Sequence, residues 1–259
     1  MLYKYYSPQL HNFDAVINGK FYFSKVCKLN DPFDSNFKLV EPYKEFLKKV
    51  PIAPNADKII GNYGTCSFSE EANNKHLWAL YTDSYKGFVI EYNKEKLEEI
   101  SNIISAPCPL HPVDYRKELL CLNDVNAQFE LEVNGEKQSF KVGECLSDDK
   151  KRDRLFEYLC YVKEEKIWGN EKEWRLFAGR HISEKQNSKI EYKENGYLIP
   201  IPEGAIKSVI VGHNMEDLNL PYICRIARQY NIKIKKTNPN TENKKWDIDL
   251  IDFPLECKK

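Results

Sequence analysis

Two acids and a base stand close together in WGNEKEWRLF, residues 168–177. If the chain is extended after the Gly169-Asn170 turn, Glu171, Glu173 and Arg175 share one face of a strand. Paired carboxylates suit acid–base work or the stabilisation of positive charge. We therefore predict Glu173 and Glu171 as catalytic residues and Arg175 as a substrate-binding residue. The structural alternative is a strand edge with cross-strand ion pairs.

A second group of acids stands on either side of a proline turn in LNDPFD, residues 29–34. Pro32 restricts the residue before it to extended or turn geometry. Asn30, Asp31 and Asp34 are candidates to orient a substrate or hold a cation. They are equally suited to capping the turn or a following helix.

Serines provide hydroxyl groups on two predicted strands. Ser67 and Ser69 alternate in CSFSE and so share one strand face, where they can bind a substrate or stand on an ordinary edge strand. Ser24, in FYFSKV, belongs to a second strand that is an alternative source of the serine motif.

The unit from residue 72 to residue 92 contributes three more candidates. Trp78 and Tyr81 are three residues apart on a predicted helix, which fits a core pair or a stacking platform. Glu91 lies between apolar residues in FVIEY, and burial would require a partner such as Arg175 or Lys86.

These segments are placed by strands and helices in mixed order. LYKYYS at the N-terminus predicts a first strand, with Tyr3, Lys4 and Tyr5 as binding candidates. AIKSVIVG, NMEDLNLPYICRIARQY and NIKIKKT predict a C-terminal βαβ-like unit. We predict an α+β fold: one mixed-sheet domain over residues 1–259 with flanking helices, in which 93–147 is an insertion or peripheral layer.

The bulk composition narrows the classes of protein. With 39 basic and 39 acidic residues, the chain has no net charge that would favour nonspecific binding to nucleic acid or a membrane surface. Eight scattered cysteines without a signal peptide predict reduced thiols and a cytoplasmic protein. No zinc motif and no apolar run of about 20 residues occurs. We predict no metal, no membrane association and a small-molecule ligand, and leave a protein or nucleic-acid acceptor open.

The sequence resembles a large bacterial and phage family, domain of unknown function 2971. NDPF, LWA.Y.....G..IE and EKEWR carry the resemblance, which extends over residues 2–177 with an echo in AIKSVIVG. The family name implies no activity, and its occurrence is compatible with a role in phage defence.

A weaker resemblance is to ADP-ribosyltransferases, whose pocket for NAD is built from three strands. Tyr3-Lys4-Tyr5 corresponds to the basic or aromatic strand, although Lys4 replaces the usual arginine or histidine. Ser67-Phe68-Ser69, or Tyr22 to Ser24, corresponds to the serine strand, and Glu171-Lys172-Glu173 to the glutamate strand. The resemblance implies NAD as substrate. Glu173 then binds the ribose and stabilises its positive charge, while Glu171 deprotonates the acceptor.

The candidate residues also fit two other functions. The first is a metal-dependent nuclease or phosphoesterase, with Asp31, Asp34, Glu91 and Glu173 as oxygen ligands for Mg²⁺. The second is a noncatalytic module that binds a ligand or partner, in which the acids and Arg175 form a structural network.

Overall fold

A mixed β-sheet organises the molecule. The computed structural model describes residues 1–31, 61–105, 108–118, 124–133, 136–179, 182, 187–241 and 247–254. The strands are β1 Leu2–Tyr6, β2 Lys20–Lys25, β3 Gly64–Ser69, β4 Phe88–Tyr92, β5 Leu110–Pro112, β6 Asp114–Arg116, β7 Gln128–Val133, β8 Glu136–Lys141, β9 Val162–Glu164, β10 Glu173–Ala178, β11 Glu191–Lys193, β12 Gly196–Pro200, β13 Ile206–Val211, β14 Lys233–Asn240 and β15 Asp247–Asp252.

Helices are interspersed with these strands along the chain. They are α1 Leu10–Ile17, α2 Lys75–Tyr81, α3 Lys94–Glu98, α4 Ile100–Ile104, α5 Val142–Ser147, α6 Asp149–Leu159, α7 Glu165–Trp168 and α8 Leu220–Tyr230. Asn74 is the N-cap of α2, because its side chain accepts hydrogen bonds from the backbone N–H groups of His76 and Leu77. Together with the sheet, these helices confirm the α+β prediction.

Within the described ranges the large sheet has 11 strands, in the order β11-β12-β2-β3-β1-β4-β13-β14-β15, with β10 paired to β3 and β5. β13 and β14 are parallel and are connected by α8, which confirms the βαβ-like unit. Most other pairs in this sheet are antiparallel, as in β1 with β4 and β10 with β3.

The sheet forks at β3. Its whole length pairs with β10, from Glu173↔Ser69 to Ala178↔Gly64. The opposite edge of β3 is therefore shared, since it pairs with β1 at Tyr3↔Ser69 and with β2 at Ser24↔Thr65. β1 and β2 diverge from this edge, and each continues into a different part of the sheet.

Among the described residues three hydrophobic cores lie against these strands, and two of them are large. The main core contains Phe13 on α1, which stacks on Phe88 of β4 at a ring-centroid distance of 4.7 Å. A second core surrounds Tyr158 of α6 and Phe129 of β7, whose rings stack at 4.6 Å. The segment 93–147 contributes to both large cores: α3 and α4 pack in the first, whereas the β7–β8 hairpin packs in the second.

The cysteines only partly follow the prediction of reduced thiols. Cys27, Cys66, Cys108, Cys145 and Cys160 are free. Cys224 on α8 is disulfide-bonded, so the prediction is wrong there, because spacing along the chain does not reveal which cysteines folding brings together. None of the helices in the described part of the chain combines the length and the apolar character needed to cross a bilayer.

Candidate functional site

A cavity of about 480 Å³ opens at the fork in the sheet, next to α2. Most of the predicted site residues line it: Tyr3, Lys4, Tyr5, Ser24, Asn30, Ser67, Ser69, Tyr81, Glu171, Glu173 and Arg175. Lys28, Leu29, Phe68, Leu77, Leu80 and Lys163 complete the lining. The cavity therefore has a polar floor on the sheet and apolar side chains from α2 on one side.

Strand register explains why residues from distant parts of the chain meet here. Tyr3 on β1 stands opposite Ser69 on β3, and Ser69 stands opposite Glu173 on β10. Directly opposite residues of neighbouring strands point to the same face of a sheet. Ser67 and Arg175 form the next row on that face, because side chains repeat at every second residue.

An ion-pair network lies under this face. Lys163 on β9 places Nζ 2.8 Å from Glu171 Oε2 and 3.0 Å from Glu173 Oε2. Arg175 donates from Nε to Glu173 Oε1 at 2.7 Å and from Nη2 to Glu173 Oε2 at 3.1 Å. The four side chains are only 1–6% exposed, so these charges interact largely away from water.

Glu173 is held ionised by its neighbours. Burial alone raises the pKa of this carboxyl group, but the charges of Arg175 and Lys163, with hydrogen bonds from Arg175 and Ser67, lower it to about 2. The hydroxyl of Tyr115 accepts a hydrogen bond from the backbone N–H of Glu173 at 2.9 Å, which fixes the start of β10. Glu173 is thus a rigid, charged carboxylate at neutral pH.

Glu171 reaches the cavity by a different route from the one predicted. It ends a 3₁₀ turn, Gly169–Glu171, and is not on the strand, because Lys172 takes a left-handed conformation (φ 45°) before β10 begins. Ser69 Oγ donates to the carbonyl of Glu171 at 2.7 Å and so anchors the turn. The prediction that Glu171 alternates with Glu173 along one strand is wrong, although both side chains line the cavity.

Tyr81 connects helix α2 to the acids. Its hydroxyl donates to Glu171 Oε1 at 2.9 Å. Burial, followed by the negative charge of Glu171, raises the pKa of Tyr81 well above its usual range, so the phenol stays protonated and remains a donor. Glu171 is consequently bound on one oxygen by a phenol and on the other by Lys163.

Trp78 lies in the core and does not line the cavity. Its indole N–H donates to the carbonyl of Ala72 at 2.8 Å, and its ring meets Tyr5 edge-on at a centroid distance of 5.6 Å. Trp78 therefore supports the wall that carries Tyr5 and Tyr81.

Glu91 has other partners than expected. It accepts hydrogen bonds from Tyr3 Oη at 3.3 Å and from the hydroxyl of Ser208, and it pairs with Lys235 Nζ at 3.4 Å. Burial raises the pKa of Glu91, but Ser208, Lys235 and Tyr3 outweigh it and lower the pKa overall. This acid therefore belongs to a neighbouring network beside Tyr3.

The expected partners of Glu91 were wrong. Arg175 binds Glu173, and Lys86 pairs with Asp83 at 3.4 Å. The physical reason is that β13, far away in sequence, pairs with β4, and β14 is the next strand beyond it in the sheet.

The structure describes one of the two acids of the LNDPFD turn. Asp31 is buried and does not line the cavity, and Asp34 lies outside the described residues. Among the residues that the structure describes, no three His, Cys, Asp or Glu side chains form a group that could hold a metal ion.

Lys163 is the main site residue that the sequence did not reveal. It follows the apolar stretch Cys160–Val162 in a strand of three residues, and nothing in that spacing points to Glu171 or Glu173. The available signal is a lysine immediately after an apolar run, which a buried strand accepts only when the charge is paired.

Neither the curated proteins nor the proteins of known structure include a significant match to the chain. Residues 77–176 match the family model described as "Protein of unknown function (DUF2971)". The matched range contains the LWA.Y.....G..IE and EKEWR motifs, together with α2, Lys163 and the two acids of the cavity. Over residues 77–176 the chain is therefore similar to this family of proteins of unknown function.

Proposed function

We propose that the chain is an NAD-consuming enzyme that resembles the ADP-ribosyltransferases. The observation that carries the proposal is the row Tyr3–Ser69–Glu173 across β1, β3 and β10. Tyr3, Ser69 and Glu173, one residue from each segment of the resemblance, stand on three adjacent strands, point to one face and line one cavity. This is the arrangement that a pocket for NAD built from a basic or aromatic, a serine and a glutamate strand requires.

In the proposed reaction, the bond between C1 of the ribose and the nicotinamide nitrogen breaks. Its electron pair leaves with nicotinamide, which departs neutral, and positive charge develops on the ribose. Glu173 faces this charge as a fixed carboxylate in a site with little water. An acceptor hydroxyl or amine forms the new bond to C1, and its proton passes to Glu171.

The test is nicotinamide release from NAD by the purified protein, with cell extract as a source of acceptor and with or without chelator. We expect release by the wild type and at least about 100-fold less by Glu173→Gln, the scale for losing a group that stabilises transition-state charge. Glu203→Gln is the matched control, because Glu203 is exposed and does not line the cavity.

Folding must be measured alongside activity, because Glu173→Gln removes the partner of two buried cations and costs on the order of 3 kcal/mol. Circular dichroism gives the folded fraction by which each rate is divided. Equal release by wild type and folded Glu173→Gln contradicts the role of Glu173. No release by the wild type under any condition contradicts the enzyme itself.

A noncatalytic binding module is the second candidate. The observation that favours it is that Lys163 and Arg175 neutralise Glu171 and Glu173 within the protein itself. Such a module is stabilised by its ligand through mass action and changes nothing chemically. A rise in melting temperature with ADP-ribose, without nicotinamide release from NAD, is the result that distinguishes it from the enzyme.

A further inference from the structure

The charges around the cavity do not balance. Six ionisable side chains with formal charges line it, four basic and two acidic: Lys4, Lys28, Lys163, Arg175, Glu171 and Glu173. The acids are paired with Lys163 and Arg175. Lys4 and Lys28 form no ion pair with any carboxylate in the described ranges. Among the residues that the structure describes, the cavity therefore presents two positive charges that no carboxylate compensates.

Lys4 is the more informative of the two because it is half-buried. Its Nζ lies in the fork of the sheet, where it donates to the carbonyl of Ser67 at 3.2 Å. The rings of Tyr6 and Phe68 have their centroids 5.6 Å from the same atom. Removing a cation from water without an anion is unfavourable, and the ring faces and one carbonyl compensate only in part.

Lys28 approaches the same cavity from the other arm of the fork. It ends the 3₁₀ turn Val26–Lys28 that follows β2, and Ser24 and Asn30 line the cavity on either side of it in sequence. Their hydroxyl and amide groups are hydrogen-bond donors of the kind that bind phosphate oxygens. The fork thus combines two cations with neutral donors.

We propose that the fork between β1 and β2 is a diphosphate subsite, in which Lys4 and Lys28 bind the two negative charges of a diphosphate ester. A dinucleotide bound there extends along β3 from Ser67 to Ser69 and brings its ribose to Glu173 on the adjacent strand. The choice of a dinucleotide rests on the proposed function, whereas the preference for a diphosphate rests on the two cations alone.

The test is isothermal titration calorimetry of the full chain at low salt, which measures the dissociation constants of inorganic pyrophosphate and, separately, of ADP-ribose. We expect Lys28→Ala and Lys4→Met each to weaken both ligands about tenfold, the scale of one charge-assisted hydrogen bond. Inorganic phosphate should bind more weakly than pyrophosphate. Lys25→Ala is the matched control, because Lys25 donates to the carbonyl of Glu194 at 2.8 Å and does not line the cavity.

Several results overturn the subsite. If the wild type does not bind pyrophosphate, there is no subsite. If both lysine variants bind pyrophosphate as tightly as the wild type, or if Lys25→Ala weakens binding equally, the anion is bound by general surface charge and not by Lys4 and Lys28. If short single-stranded DNA binds more tightly than ADP-ribose, the ligand of the subsite is a nucleic acid and not a dinucleotide. Because Lys28 is exposed, Lys28→Ala keeps the test valid if Lys4→Met does not fold.

Binding and turnover separate this inference from the proposed enzyme. Lysine-dependent diphosphate binding without nicotinamide release supports the subsite and contradicts the enzyme. Nicotinamide release that is unaffected by both lysine variants supports the enzyme and contradicts the subsite.

Discussion

Replacing Lys163 by methionine tests whether the buried ion-pair network holds the site together. Its Nζ lies within 3.0 Å of both Glu171 and Glu173, and its side chain is 3% exposed. Each contact gives roughly 5 kcal/mol of attraction at an effective dielectric constant of about 20. Desolvation of the ammonium group offsets much of this, so we expect Lys163→Met to lower the free energy of unfolding by about 3 to 5 kcal/mol at pH 7, as for other broken buried pairs.

The loss of stability in Lys163→Met should arise mainly from Glu171. Glu173 keeps Arg175 as its partner, whereas Glu171 keeps only the phenol of Tyr81. In the variant, Glu171 is a buried carboxylate without a cationic partner, and this unpaired charge is the main source of the destabilisation.

Urea unfolding followed by circular dichroism measures this effect. The double variant Lys163→Met/Glu171→Gln should be more stable than Lys163→Met alone, because it leaves no uncompensated charge on Glu171. Lys96→Met is the matched control: Lys96 is 2.7 Å from Glu99, but both side chains are more than 40% exposed, and little change is expected. A loss below about 1 kcal/mol for Lys163→Met, or a double variant less stable than the single one, would refute the reasoning.

Two further predictions concern stability. The lowered pKa of Glu173 stabilises the fold at any pH above 4.5, the pKa of this group in the unfolded chain. This contribution, on the order of 3 kcal/mol, should be lost as the pH falls towards 2, and acid unfolding of Glu173→Gln should lack it. Gly87→Ala should prevent folding or lower the free energy of unfolding in urea by more than about 3 kcal/mol, because a Cβ there would lie 2.0 Å from the carbonyl oxygen of Tyr6. Gly204→Ala should lower it by only about 1 kcal/mol, because a Cβ there meets nothing within 4 Å and the cost comes from the φ of +70°. Equal costs at the two glycines would contradict the steric argument.

Alternation along the strands made much of the site predictable. Ser67 and Ser69, like Tyr3 and Tyr5, are two residues apart and therefore had to share a face once each segment was a strand. The N-cap at Asn74 also has a local signal, because an asparagine stands three residues before an apolar pair. These predictions depend only on neighbours in sequence.

The parts that failed depend on contacts between distant segments. Glu91 is bound by Ser208 and Lys235, which are 117 and 144 residues away, and no local pattern selects them over Lys86. Glu171 left the predicted strand because a single left-handed residue, Lys172, turns the chain before β10. A non-glycine residue rarely adopts that conformation, so propensity argues against it and tertiary packing decides.

The ion-pair network has opposite effects on rigidity and on charge. Lys163 and Arg175 fix Glu173 in one position, which favours any reaction that requires a positioned carboxylate. The same cations reduce the negative potential that Glu173 presents to a developing positive charge. Enzymes commonly give up stability for such sites, but here both partners increase stability and lower the electrostatic effect of the acid. If NAD binds at the proposed diphosphate subsite of Lys4 and Lys28, its binding energy offsets this reduction, and Glu173 keeps the fixed position that its proposed catalytic role needs.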